Sequence, residues 1–266
     1  MIRDHRADLR LAQSLADEAD VLTLATYLSS SLRVETKPDR TPVTEGDKAV
    51  ERAIRRTLAE RAPADAVLGE EFGAEGGLTG RAWIIDPIDG TANYLRGVPI
   101  WATLIGLVVD GVPTVGVVSA PALGRRWWAA PGLSVTRDVD GTERDVHVSA
   151  VRSPSDASLS YSDPIGWPPG ALPRLTEGMW RTRAFGDFLS HMLVAEGAVD
   201  IAVEPALAPW DVAALIPIIT GAGGRATGTD GGPVLRSANG SWMVPAGLVT
   251  SNSLLHAETL RRIAGQ

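Results

Sequence analysis

Cysteine is absent from the 266-residue chain, which excludes disulfides, thiolate metal sites and thiol nucleophiles and leaves the redox compartment open. Histidine is scarce: His5, His147, His191 and His256 are scattered without zinc-ligand spacing. Lysine is scarcer, with Lys37 and Lys48 the two lysines among 25 basic residues. No basic cluster exceeds pairs such as Arg55-Arg56 or Arg125-Arg126, and the formal charge is −7, so a nucleic-acid surface is not expected. An anionic substrate would need a local cation. No run approaches the roughly 18 apolar residues of a membrane span, and the charged N-terminus lacks the apolar core of a signal peptide. The expectation is a cytoplasmic protein with neither membrane nor nucleic-acid partners.

With 44% hydrophobic residues the chain can bury a full core, as one large domain or two intimately packed halves. Leu11, Leu15, Ala19 and Leu22 recur at helical spacing and predict an amphipathic helix over about Asp4 to Leu32. Residues 34–47, with Pro38 and Pro42, read as a loop before a helix carrying Val50, Ile54 and Leu58. Thr44 with Asp47 fits helix capping or a place in the site, and Lys37 is a compact point charge in an acid-rich loop. Ala66 to Gly73 reads as a strand ending in carboxylates. Ala102–Val109 and Val112–Ser119, separated by Asp110-Gly111, form a hairpin signal, and Trp127-Trp128 continues the sheet.

Residues 137–156 are polar and aperiodic, which predicts a boundary between an N-terminal half, 1–145, and a C-terminal half, 146–266. The second half alternates strands at 157–161, 181–185, 200–204 and 224–227 with helices near 172–178, 187–196 and 209–221. The expected class is therefore α/β, with an α+β N-terminal half and an α/β C-terminal half.

The stretch richest in chemistry is Trp83-Ile84-Ile85-Asp86-Pro87-Ile88-Asp89-Gly90-Thr91-Ala92-Asn93. An apolar strand stops at two turn signals, so two carboxylates arrive together at its end, and an inward carbonyl between them would add a third oxygen donor for Mg²⁺ or Ca²⁺. Glu70 and Glu71 end another strand; neighbours on a strand point to opposite faces, so Glu70 is expected to face the site and Glu71 to support it. Asp211 opens an otherwise uncharged helix, where it either complements the helix dipole or completes a metal cage.

Gly69-Glu70-Glu71, Asp86-Pro87-Ile88-Asp89-Gly90-Thr91-x-Asn93 and Trp210-Asp211-x-Ala213-Ala214 with Ala222-Gly223-Gly224, in this order and spacing, resemble the signature set of the inositol monophosphatase family. The resemblance spans nearly the whole chain, including Lys37, Asp39, Thr44 and Asp47 and the closing Thr250-Ser251-Asn252. Within the family, Val98-Pro99-Ile100-Trp101, Ser119 to Ala122, Trp127-Trp128 and Phe185-Gly186-Asp187-Phe188-Leu189 are most similar to the actinobacterial histidinol-phosphate phosphatases.

That resemblance implies a layered α-β-α-β-α sandwich of the inositol monophosphatase and fructose-1,6-bisphosphatase type, and a homodimer. It implies two or three Mg²⁺ per site, held by Glu70, Asp86, the Ile88 carbonyl, Asp89 and Asp211. Phosphate would bind through the Gly90 and Thr91 region, with Asn93 among the substrate-binding residues. Asp47 joins Glu70 and Thr91 as a catalytic group, and Lys37 is assigned to substrate binding. Departures are Gly221 where many relatives have Glu, Ala92 where Thr or Lys is common, and Pro131-Gly132-Leu133 in place of Gly-x-Gly-Ala; none removes a metal ligand.

The implied reaction is hydrolysis of a phosphate monoester, with Glu70 and Thr91 orienting and deprotonating a water that attacks phosphorus directly. The rival Asp-x-Asp-Gly-Thr pattern, in which the first Asp is a nucleophile, has one residue fewer between its acids. Asp187 stands where relatives often have Ser or Thr, and Glu204 lies seven residues before Asp211, where relatives contact the non-phosphate end of the substrate. Two carboxylates there suit a cationic amine better than a neutral polyol, which points to L-histidinol phosphate; Asp187 also fits a helix cap. The alternatives are inositol-1-monophosphatase or a broad-specificity relative, and a non-catalytic metal or phosphate binder. Without a basic cluster for a second phosphate, a bisphosphatase is disfavoured.

Overall fold

The computed structural model describes residues 5–29, 34–36, 42–77, 79–162, 165–238 and 241–266. Lys37 and Asp39 lie outside the described residues. The N-terminal periodicity produces helix α1 (Arg6–Thr26), which buries Leu11, Leu15 and Ala19. It is shorter than expected because Tyr27 is already extended.

The segment read as a loop contains a small antiparallel pair, β1 (Val34–Thr36) and β2 (Pro42–Thr44), in which Thr36 lies opposite Pro42. Its β-branched residues favour extended backbone, and Pro42 is tolerated as the first residue of its strand. Thr44 then caps α2 (Glu45–Arg61): its Oγ1 accepts from the backbone N–H groups of Gly46 (3.0 Å) and Asp47 (3.3 Å), while Asp47 Oδ2 accepts from the Thr44 N–H at 2.8 Å. Such a reciprocal cap satisfies orphan donors at the helix start.

The next elements are β3 (Ala66–Gly69), β4 (Gly73–Glu75), β5 (Arg81–Asp89), α3 (Thr91–Arg96), β6 (Ala102–Val109), β7 (Val112–Ala120), β8 (Arg125–Ala130), β9 (Leu133–Arg137) and β10 (Glu143–Asp145). The strand expected over Ala66 to Gly73 is therefore two, with Glu70 and Glu71 in the turn between them. These strands form one sheet in the order β10-β9-β8-β7-β6-β5-β3-β4, with β3 and β5 parallel. Pro131-Gly132 makes the tight β8–β9 turn, and the polar stretch expected to be aperiodic includes the exposed strand β10. The two neighbouring tryptophans lie on opposite faces of β8: Trp128 packs with α1 and α2, Trp127 with helices of the second half.

In the second half come β11 (Ser158–Ser160), α4 (Ala171–Thr176), β12 (Arg181–Arg183), α5 (Asp187–Ala195), β13 (Ile201–Glu204), α6 (Pro209–Val212), α7 (Leu215–Gly221), β14 (Arg225–Thr227), β15 (Arg236–Ala238), β16 (Ser241–Met243), β17 (Leu248–Ser251) and α8 (His256–Ala264). A mixed sheet runs β12-β11-β13-β17-β14, with β11 parallel to β12 and β13 and β17 antiparallel to β13 and β14. The single helix expected over 209–221 breaks between Val212 and Leu215. Pro217 explains the break, because it has no N–H for the Ala213 carbonyl four residues back.

Three buried clusters define the layers. Residues of α1 and α2 cover one face of the large sheet, α5 and α7 lie between the two sheets, and Leu175 of α4 and Ile263 of α8 pack on the far side of the smaller one. The result is the α-β-α-β-α sandwich. No helix among the described residues is long and apolar enough to cross a membrane.

Candidate active site

Strand β5 carries the first two carboxylates, and a bulge makes them neighbours. Asp86 lies opposite Leu104 and Asp89 opposite Ala102, so three steps on β5 face two on β6. Side chains three apart on a regular strand would point to opposite faces; one extra residue turns the second back to the side of the first. Pro87, which cannot donate to the ladder, sits within the bulge. The Ile88 N–H donates to Asp86 Oδ1 at 3.0 Å, fixing a carboxylate that is 3% exposed. Gly90 then turns the chain with φ +82°, and a Cβ there would stand 2.9 Å from the Ile100 carbonyl oxygen.

Asp211 arrives on α6 from more than a hundred residues away. What lets it in is a pair of glycines on the sheet: a Cβ on Gly106 would meet the Ala213 carbonyl carbon at 2.7 Å, and one on Gly116 the Ala214 oxygen at 2.1 Å. The α6–α7 backbone therefore lies directly against β6 and β7. The Ala208 N–H donates to Asp211 Oδ2 at 2.7 Å and orients the carboxylate.

Oxygens of Asp86, Asp89 and Asp211 lie within 4.8 Å of one another. Burial raises the proton affinity of all three, and neighbouring carboxylates raise it further, while a hydrogen bond from Asp86 works the other way on Asp211. Glu70, Asp89, Asp211 and Asp47 add to the effect of burial at Asp86, and Asp187, Asp211 and Glu204 do so at Asp89, so both carboxyls are held well above the usual range. Asp211 is pushed up to about 7, by burial first and by Glu70 and Glu204 after it. Asp47 is pushed up to about 6, mainly by burial, with Glu71 and Glu70 contributing. Oxygen-only donors crowded this closely suit a hard divalent cation, and Asp47 Oδ1 is a buried oxygen with no hydrogen-bond partner among the described residues. The donor set fits such an ion.

The remaining expected residues surround this cluster in different ways. Glu51 holds the Glu70 turn: its carboxylate accepts from the N–H groups of Glu71 (2.7 Å) and Phe72 (3.2 Å). Glu70 acts electrostatically on Asp86, Asp211 and Asp47, whereas Glu71 acts on Asp47. Glu70 falls outside the mutual 4.8 Å set of Asp86, Asp89 and Asp211. The Thr91 hydroxyl donates to the Ile88 carbonyl at 3.0 Å. Asn93 spends its amide N–H groups on the Ile100 carbonyl (2.9 Å) and Asp187 Oδ2 (2.8 Å).

Asp187 is the first residue of α5 rather than its cap, with a strained φ of +48°. The next N–H, that of Phe188, donates to Asp89 Oδ2 at 2.9 Å, which ties α5 to the cluster. Glu204 ends β13 and is 7% exposed. Lys37 lies outside the described residues. Sequence reasoning passed over His191 on α5, which faces Glu204; a histidine on an otherwise apolar helix was the available signal.

Comparison with known proteins follows from this geometry. The pattern that defines the inositol monophosphatase family matches residues 6–265. The histidinol-phosphatase of Mycobacterium tuberculosis is 54% identical over 96% of this chain and 97% of its own length. That of Streptomyces coelicolor is 51% identical over 97% of each chain. The crystal structure of the extragenic suppressor protein SuhB from Bartonella henselae superposes with a TM-score of 0.83 at 26% identity, covering 97% of this chain and 98% of that one. From residue 6 to residue 265, then, the chain belongs to the inositol monophosphatase family.

Proposed function

We propose that this protein is a Mg²⁺-dependent phosphatase that converts L-histidinol phosphate and water to L-histidinol and phosphate. The observation that carries the reading is the placement of Asp187 and Glu204: both are close enough to act on the charge of Asp89, so two extra carboxylates stand beside the metal-type cluster. A polyol needs no such surplus of negative charge, whereas a protonated amine and an imidazole match it. Two relatives more than half identical to this chain are named histidinol-phosphatase.

In this mechanism Asp86, Asp89 and Asp211 hold the cations, with Glu70 and the Ile88 carbonyl completing the set. With two or three Mg²⁺ bound, these residues would hold Lewis acids able to neutralise the phosphoryl oxygens and the leaving group. Glu70 orients the attacking water and takes its proton. Thr91, whose hydroxyl proton goes to the Ile88 carbonyl, is left to accept with its hydroxyl oxygen from that water. Asp47, with one oxygen unpartnered among the described residues, is the further proton acceptor. The backbone at Gly90 and Thr91 receives the phosphate; Lys37 and Asn93 are assigned to the substrate side, Asn93 through its hold on Asp187. One P–O bond forms to water, the ester P–O bond breaks, and the alkoxide leaves as an alcohol after protonation.

The test is kcat/KM for L-histidinol phosphate against inositol 1-phosphate with Mg²⁺ present. A clear preference for the first is expected, and a preference for inositol 1-phosphate overturns the assignment. We also infer a cytoplasmic homodimer, to be checked by light scattering coupled to size exclusion, where a monomer mass would refute the dimer.

A further inference from the structure

Helix α5 carries a buried histidine to which the mechanism above gives no task. His191 is 1% exposed, one turn after Asp187. Its Nδ1 stands 2.8 Å from the Thr250 hydroxyl, and Thr250 is fully buried in β17, opposite Ala202 of β13. Its Nε2 faces Oε1 of Glu204 at 3.4 Å. Neither of those two atoms has a hydrogen-bond partner among the described residues.

A buried donor and a buried carboxylate oxygen, side by side but short of bonding geometry, carry desolvation cost without the compensating bond. The arrangement has a direction. A Thr250 hydroxyl that donates to Nδ1 selects the tautomer with its proton on Nε2, so the imidazole becomes a neutral donor aimed at Glu204. Glu204 also acts on the charges of Asp89 and Asp211, so its carboxylate lies near the acidic cluster. His191 is the basic side chain that the described residues place beside Glu204. A neutral partner orients an acid without cancelling its charge, whereas an arginine or lysine would do both. Asn93 stands in the same relation to Asp187, donating to its Oδ2 at 2.8 Å.

We propose that His191 is a positioning residue that sets substrate selectivity: it holds the Glu204 carboxylate in the orientation that accepts the cationic end of the substrate. The 3.4 Å separation closes to a hydrogen bond when that cation is bound, since such contacts are often long in the unliganded state. The inference rests on the reading of Glu204 as a contact to the histidinol end.

The experiment compares wild type, His191→Asn and His191→Gln on L-histidinol phosphate and inositol 1-phosphate. Asn keeps an amide near the Nδ1 position and loses the donor toward Glu204; Gln reaches the Nε2 position. In His191→Asn the ratio of kcat/KM for the cationic ester over the polyol ester should fall about tenfold, carried by KM on the cationic ester, the size expected for one buried hydrogen bond to a charged group. His191→Gln should recover most of it. Thr250→Val, which removes the hydroxyl at Nδ1, should shift the ratio in the same direction and serves if the Asn variant fails to fold.

An equal fall in kcat on both esters, alike in the Asn and Gln variants, would mean a purely structural histidine and overturn the proposal. So would an unchanged ratio in the Asn or Val variant while wild type keeps its preference, and that outcome leaves the proposed function standing. A wild type without preference for the cationic ester fells both.

Discussion

Asp86, Asp89 and Asp211 are buried together among further acids, and the cost of keeping their charges out of water makes the protein's stability depend on divalent ions and on pH. A carboxyl whose pKa is raised by folding is protonated in the native state where the unfolded chain has already lost the proton. For Asp211, raised from 3.8 to about 7, stability of the metal-free protein therefore falls as pH rises across that interval. A bound cation reverses the sign, because it needs the ionised form. The rise in Tm on adding saturating Mg²⁺ should be about 5 °C or more at pH 7.5 and much smaller at pH 5.5, and Asp89→Asn should lose most of it. Calorimetry with Mg²⁺ and with a chelator checks this; an equal shift at both pH values would show that the three acids do not hold the ion. The Asp86-Pro87-Ile88-Asp89 spacing announced two of these acids, because turn residues and carboxylates are local chemistry. The sequence showed His191 as a histidine on a largely apolar helix but not its partners, because these are Glu204, thirteen positions on, and Thr250 in another strand.

The placement of α6 and α7 on the large sheet depends on two missing side chains. Gly116→Ala would put a methyl 2.1 Å from the Ala214 oxygen, which the rigid backbone there cannot yield without moving. The expected cost is about 1–3 kcal/mol of stability, the usual range for overpacking, with a fall in kcat because Asp211 retreats from Asp86 and Asp89. A thermal melt and phosphate-release kinetics test it, and a variant as stable and active as wild type would show that the helix does not rest on the glycine. Neither glycine drew notice in the sequence, where each sits inside an ordinary apolar strand pattern. The break between α6 and α7 was readable in principle from Pro217, but the apolar run on both sides of it favoured one helix. The β1–β2 pair was likewise hidden, since two prolines and a polar composition outweighed six extended residues.

The acidic cluster is assembled between the two sheets, and this shapes how the molecule as a whole should respond to a divalent cation. Acids come from β5 in the large sheet and from α6 between the layers, while the Phe188 N–H bond to Asp89 and the Asn93 bond to Asp187 join the halves. Mg²⁺ should therefore slow amide exchange in β5, α5 and α6 together, measured by hydrogen–deuterium exchange. Protection confined to β5 would show that Asp211 takes no part. The net charge of −7 fits the same picture, since cations rather than a basic surface would admit an anionic ester. Local order in the chain was enough to establish most of the element types, the absence of cysteine, the acidic strand ends and the family resemblance, because propensity, periodicity and motif spacing act over a few residues. Folding alone decided that a bulge swings Asp89 to the side of Asp86, that two glycines admit Asp211, and that His191 meets Glu204. Those are distances between groups far apart along the backbone, and only packing brings them together.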